Sequence, residues 1–370
     1  MRVNLIVDKS KIIYYHLFPL LVMHSDLKKE GLDIKYLHKL DKRVYECDTL
    51  IILSKSLFNL MGENKYILDI NGPVIKFLKS LNERGLRIIW MDTSDSTSTT
   101  HFEILPYVHK YLKKQLFKDR SLYKGQLYGG RIFTDFYHKT FGAIDELPHP
   151  DIKLLTDDEH KLGISWNIGL GDMYNAFSSK KKSILYGRYF NLFNPSYNRT
   201  HFLNPRKEID FMLKTTANLS RNTVAFHRQE LVRHLKDISE DMNLNTIVQG
   251  KRLGKHDFRK AMLSTKIFPS PFGWGEIGVR DYEAFIYQGV LLKPNLDYME
   301  TWPDIFINNL TYVPFRWDFT DLEQKINLIL NDYEMQQRIA VNGQQKYLES
   351  ISDNGLSEFF NRFIKIISKS

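Results

Sequence analysis

Residues 268–294, FPSPFGWGEIGVRDYEAFIYQGVLLKP, bring together groups able to do chemistry. Gly273, Gly275 and Gly278 are interleaved with one carboxylate, Glu276, and followed by a second, Glu283. Glycine lets a backbone approach a ligand closely. The amides that open a following helix meet a phosphate, helped by the helix dipole. A carboxylate cannot favourably sit on that phosphate, so Glu276 and Glu283 are suited to accepting hydrogen bonds from sugar hydroxyls. Together these groups describe a pocket for a nucleotide-sugar: amides for the diphosphate, glutamates for the sugars. A glutamate near the start of a helix can also serve only as a partner for the dipole, and that plain role stands beside the functional one.

Such groups need elements to hold them. KIFPS before the motif and VLLKP after it read as strands, and VRDYEAFIYQG between them as a helix ended by Gly289. In open α/β sheets ligands bind beyond the carboxyl ends of the strands, and the motif lies at such a place. The same alternation runs upstream: EIDFMLKTT as strand, TVAFHRQELVRHLKDIS as amphipathic helix, NTIVQG as strand and HDFRKAMLST as helix. In the first half RVNLIVD, LDIKYLH, DTLIILS and LRIIWMD read as strands, with VIKFLKSLNERG as a helix stopping at Gly85. This is the pattern of β-α-β units and a parallel sheet. GRIFTDFYH and KLGISWNIGLG carry β character, and YNAFSSKKKSILYG reads as helix and then irregular chain. The Asn, Pro and Ser content of FNPSYNRTHFLNPRK marks a linker and a domain boundary near 200–207. Three helices follow near the end, the last being LSEFFNRFIKII.

The segment PSPFGWGEIGVRDYEAFIYQGVLLKP resembles the donor-binding segment of GT-B glycosyltransferases, especially the group-1 (family 4-like) and exostosin-like enzymes. TYVPFRWDFTDLEQKINLIL extends the likeness into the family's closing strand, loop and helices. The resemblance implies an α/β protein of the GT-B fold, with two Rossmann-like domains facing a cleft. It implies an acceptor-binding domain over 1–204, a nucleotide-sugar domain over 205–350, and a closing helix over 351–370 that packs back on the first domain. By the same resemblance Glu283 binds the donor ribose, Glu276 faces the donor sugar as a catalytic residue, and the backbone at Gly273 and Gly275 lies near the diphosphate. Six residues (277–282) separate the glutamates, one fewer than the family's usual pattern. The family also places a basic pair on the donor phosphates. Arg221 and Lys251 are the first choices by position, with Lys214, Arg228, Arg252, Lys255 and Arg280 as further candidates, each of which would otherwise be a solvated surface charge.

The acceptor is expected on the first domain. DTSDSTSTTH (92–101) follows a strand at the end that faces the cleft, and Asp92, Asp95 and His101 are placed to orient or deprotonate a hydroxyl. Read plainly, the loop is an Asx/Ser turn capping the next helix.

Composition sets the outer bounds. The chain has 370 residues and a net charge of +9, enough for two domains of ordinary size. Its basic residues are spread out, with small clusters at Lys113–Lys118, Lys180–Lys182 and Lys251–Lys255. That fits a phosphate-handling enzyme, an acidic acceptor or an anionic membrane surface, and not a nucleic-acid-binding module. The single cysteine, Cys47, permits no internal disulfide and reads as a small buried residue. No run of apolar residues is long enough to span a bilayer, so a cytoplasmic location, peripheral on the inner face of the membrane, is expected. No cysteine pair, H-E-x-x-H or D-x-D pattern offers a metal site, and no metal or other cofactor is expected beyond the nucleotide-sugar substrate. The expected partners are that donor and a glycan or lipid-linked acceptor in cell-surface polysaccharide synthesis, with retention of anomeric configuration. A sugar-nucleotide 2-epimerase of the same fold and a non-catalytic scaffold are the alternatives.

Overall fold

A computed structural model describes residues 1–63, 68–146, 156–175, 195–200, 203, 206–251 and 253–368. The helix expected over YNAFSSKKKSILYG, the Lys180–Lys182 cluster and Arg252 lie outside those residues almost entirely.

The first half builds a parallel sheet from β1 (Arg2–Ile6), β2 (Asp33–Leu37), β3 (Thr49–Leu53), β4 (Arg87–Asp92), β5 (Lys110–Lys113) and β7 (Leu162–Ile164), in the order β2-β1-β3-β4-β5-β7. Between these lie α1 (Lys11–Val22), α2 (His24–Lys29), α3 (Ser54–Met61), α4 (Pro73–Glu83) and α5 (Ile132–Phe141). Every residue of β3 is buried, as expected for a strand covered on both faces. Cys47 is buried, as read from the sequence.

The second half repeats the plan. Its parallel sheet holds β8 (Ile209–Leu213), β9 (Thr246–Val248), β10 (Thr265–Pro269), β11 (Val290–Pro294) and β13 (Tyr312–Phe315), in the order β13-β11-β10-β8-β9. Around it pack α6 (Asn222–Asp241), α7 (Lys255–Ser264), α8 (Val279–Ile286), α9 (Leu322–Asn331) and α10 (Tyr333–Ser350). Two Rossmann-like sheets facing one another make this the GT-B arrangement.

Two features tie the halves together. β6 (Gln115–Phe117) pairs antiparallel with β12 (Met299–Thr301), with Gln115 opposite Thr301 and Phe117 opposite Met299. The last helix, α11 (Asp353–Ile367), returns to the first sheet. Its apolar face carries Phe359 and Phe363 against Trp166, with ring centroids 5.1 and 6.2 Å away. Its end is met by Lys110, whose Nζ donates to the Ile366 carbonyl at 3.0 Å, a favourable place for a cation at a helix C-terminus.

Two local readings need correction. GRIFTDFYH is not β: Ile132–Phe141 forms α5, whose four-residue spacing buries Phe133 and Tyr137 together. Aromatic and β-branched content lost to tertiary packing there. Gly289 does not take the left-handed conformation after α8. Gln288 does, with φ of 51°, and Gly289 instead gives room to Phe268, whose ring would lie 2.2 Å from a Cβ at that position.

Candidate active site

The carboxyl ends of both sheets open on one interdomain cavity of about 840 Å³. One wall is the glycine loop, contributing Gly273, Gly275 and Gly278 together with Arg280. Lys214, after β8, and Arg228, on α6, extend that wall. The facing wall belongs to the first domain and includes Tyr15 and His16 of α1, Asp95, and Lys114 just beyond β5.

The loop is braced from beneath. Asp281, fully buried, accepts from the Gly278 amide at 2.8 Å and from Lys293 Nζ at 3.0 Å, and Ser270 also donates to it. Gly273 N donates to the Gly275 carbonyl at 2.9 Å, curling the loop. Gly278, Val279 and Arg280, where α8 begins, line the cavity, and the helix dipole favours an anion at that end.

The cations differ in their ties. Lys214 Nζ donates to the carbonyls of Gln249 and Lys251, at 2.6 and 2.7 Å, joining the loops after β8 and β9. Arg228 donates to the Phe272 and Thr216 carbonyls, each at 2.8 Å. Burial, and then the like charge of Arg280, push Arg228 down to about 10. Arg280 is lowered by burial, opposed by Glu283 and Asp281, and no side-chain hydrogen bond holds it among the described residues. Two adjacent guanidiniums on one cavity wall make an anion-binding surface.

Glu283 is 5 % exposed, and no described side chain donates to its carboxylate. Burial pushes it up to about 7, with Arg280 pulling the other way. A buried acid beside an arginine and next to a cavity is a candidate functional group.

Three expected site residues are elsewhere. Glu276, expected to face a donor sugar, does not line the cavity. It is 0 % exposed and reaches across to the first domain. There it accepts from Ser96 Oγ and the Thr97 amide, both at 3.0 Å, and from Gln115 Nε2 at 2.6 Å. Arg221 is not on the cavity. It is buried in an ion pair with Asp145, with Nη2 to Oδ2 at 2.6 Å, and also donates to the Gly129 carbonyl at 2.8 Å. Lys251 is exposed, and only its carbonyl takes part, as an acceptor for Lys214. Charges spaced plausibly along the chain were thus sorted by where their nearest opposite charge lies.

The loop over residues 92–101 is sorted likewise. Asp92 is buried at the end of β4 and accepts from Lys113 Nζ at 3.0 Å and Tyr111 OH at 2.6 Å. His101 is buried against Phe58 and Trp90, at ring distances of 5.0 and 6.1 Å, and lines a separate small void, not the main cavity. Asp95 alone reaches the cavity, its side chain 40 % exposed. Burial raises its pKa, but Lys114 and Lys55 outweigh this and hold it at about 2. Lys55 Nζ donates to Asp95 Oδ1 at 2.9 Å.

No protein-family model matches the chain, and no curated protein matches its sequence. Among solved structures, Anabaena HepE in complex with UDP is similar at 11% identity and a TM-score of 0.44, over 99% of this chain and 100% of that one. The S. aureus MnaA–UDP co-structure is similar at 7% identity and a TM-score of 0.45, over 100% and 98%. An alpha-glucosyltransferase in complex with UDP and a 13-mer DNA is similar at 11% identity and a TM-score of 0.42, over 100% of both chains. At such scores the likeness carries no argument, and the fold rests on the strand orders and registers above.

His16 and Lys114 are the residues that sequence reasoning missed. His16 sits in an apolar run, and Lys114 belongs to a cluster that reads as surface charge. No spacing along the chain sets His16 against Lys114, 98 positions away. Among the described residues no group of three or more His, Cys, Asp or Glu side chains is arranged to hold a metal ion. No helix among them is long and apolar enough to cross a membrane.

Proposed function

We propose that this chain is a glycosyltransferase that moves a sugar from a nucleotide-diphosphate sugar to a glycan or lipid-linked glycan of the cell surface. The observation that carries this reading is the cavity wall where the glycine loop, the α8 amides, Lys214, Arg228 and Arg280 converge beside the buried Glu283. The diphosphate lies against the loop and cations, and Glu283 accepts from the ribose hydroxyls.

Breaking the bond from the sugar to the phosphate leaves charge on the departing diphosphate. Fixed cations there stabilise the transition state, and removing one such group typically costs about 3 kcal/mol. Asp95, held at about 2, is a weak base, which favours retention: the leaving phosphate takes the acceptor proton. The same electrostatics need no metal ion, because Lys214, Arg228 and Arg280 supply the positive charge.

A thermal-shift screen with UDP, GDP, ADP and CMP and their sugar adducts tests the reading. A ligand that binds only the folded state stabilises it by about 2.7 kcal/mol at a hundredfold excess over Kd. No shift with any nucleotide would overturn the donor site in favour of a scaffold. With a donor in hand, NMR of the product anomer tests retention, and activity that survives EDTA tests metal independence.

A further inference from the structure

The wall opposite the glycine loop holds polar groups that the donor reading leaves unused. His16 is 1 % exposed and lines the cavity, yet neither ring nitrogen has a hydrogen-bond partner. Burial, then Lys114 and Lys55, push its pKa down to about 3. It is therefore neutral at physiological pH, with one N–H to donate and one lone pair. A buried polar atom left without a partner is costly, so a ligand that meets it gains.

Lys114 is the second such group. Its side chain is 4 % exposed and lines the same cavity. Its ion partner among the described residues is Asp95 at 3.8 Å, beyond hydrogen-bond reach, and Lys55 already holds that carboxylate oxygen at 2.9 Å. Burial pushes Lys114 down to about 8 despite Asp95. A buried ammonium with its charge only partly met favours an incoming anion.

On the glycine-loop wall Lys214, Arg228 and Arg280 stand against Glu283, so a diphosphate with one negative charge on each phosphate is met by that wall alone and does not call on Lys114. His16 and Lys114 lie next to that place, since both line the same cavity and the Asp95 carbonyl abuts Gly275.

We propose that His16 and Lys114 form a subsite for a carboxylate on the transferred sugar, so that the donor is the nucleotide diphosphate of a uronic acid. This rests on the donor reading above. One lysine and one neutral N–H match the single charge of a carboxylate. A phosphate ester, at about −1.5 to −2, would leave the wall with too much negative charge.

Isothermal titration of the full chain with matched pairs tests the proposal: UDP-glucose and UDP-glucuronic acid, UDP-galactose and UDP-galacturonic acid, GDP-mannose and GDP-mannuronic acid. The expected result is that one acid binds at least tenfold tighter than its neutral partner. Lys114→Met and His16→Phe, checked for folding by circular dichroism, are expected to remove that preference. If nucleotide sugars bind but no acid exceeds its neutral partner, the subsite is wrong and the donor site stands. A preference that survives Lys114→Met also overturns it. If no compound binds, the donor reading fails and takes the subsite with it.

Discussion

Gly275 and Asp95 meet so closely that an ideal Cβ at position 275 would fall 1.9 Å from the Asp95 carbonyl oxygen. The loop read as a ligand cradle is thus also a seat for the opposite domain. Gly275 is needed there because any side chain would strike backbone. The neighbouring Glu276 then completes the junction by taking the Thr97 amide at 3.0 Å.

Gly275→Ala is therefore expected to separate the two loops. Overpacking against backbone costs about 1–3 kcal/mol, so the melting temperature falls by several degrees. Nucleotide affinity falls at least tenfold, because the loop that lines the donor wall moves with it. Differential scanning fluorimetry with and without nucleotide reads both. A variant that melts and binds like the parent would show that the contact yields freely.

Glu276→Ala is expected to act on stability first. It strands the buried Thr97 amide, at about 1–3 kcal/mol, and removes the shortest partners of Ser96 Oγ and Gln115 Nε2, which keep only longer contacts to Ser98 Oγ and to the Asp95 carbonyl and Thr97 Oγ1. Urea unfolding is expected to show a midpoint well below that of the parent. Unchanged stability with lost turnover would instead restore Glu276 to the sugar.

Two arginines are expected to separate binding from folding. Arg221→Met leaves Asp145 buried without its ion partner, a loss of about 3–5 kcal/mol. The surviving folded protein still binds nucleotide. Arg280→Met is expected to lower the melting temperature far less than Arg221→Met, since no side-chain hydrogen bond among the described residues holds Arg280 and Glu283 can take up a proton when that cation is gone. It is expected to weaken nucleotide binding by about tenfold to a hundredfold, as loss of a charged hydrogen bond implies. The reverse pattern would exchange the roles assigned to the two residues.

Nucleotide affinity is expected to rise with pH through about 7. Glu283 is pushed from an ordinary 4.5 up to about 7 by burial, so in the free protein it is largely protonated below that value. Accepting hydrogen bonds from ribose favours the charged form, and binding therefore releases a proton. The effect on folding has the opposite sign. Between 4.5 and about 7 the folded protein holds a proton that the unfolded chain has lost, so this group makes folding less favourable as pH rises through that window. Titrations between pH 6 and 8.5 check the first point, and Glu283→Gln is expected to flatten the profile.

The central strands β1, β3 and β4 were legible in the sequence because they are buried on both faces over nearly all their length. RVNLI, TLIIL and RIIWM are apolar enough to declare themselves without partners. The glycine loop and α8 were legible because Pro and Gly punctuate the chain there and the acids follow at helical spacing. α5 was not, because IFTDFYHKTF satisfies strand propensity and only packing of Phe133 and Tyr137 shows the helix. The role of Glu276 was not, because Ser96 lies 180 residues away. Arg221 was misjudged for the same reason, with Asp145 76 residues distant.

Local sequence, then, determined the α/β alternation, the glycine loop and the set of candidate charges, since each depends on neighbours along the chain. Which charges stay available was decided only by the tertiary structure. A carboxylate or guanidinium is committed when folding brings its counterpart within hydrogen-bond reach, and free for a ligand when it does not. Glu276 and Arg221 were claimed in this way, while Glu283, Arg280, His16 and Lys114 were left facing the cleft or beside it.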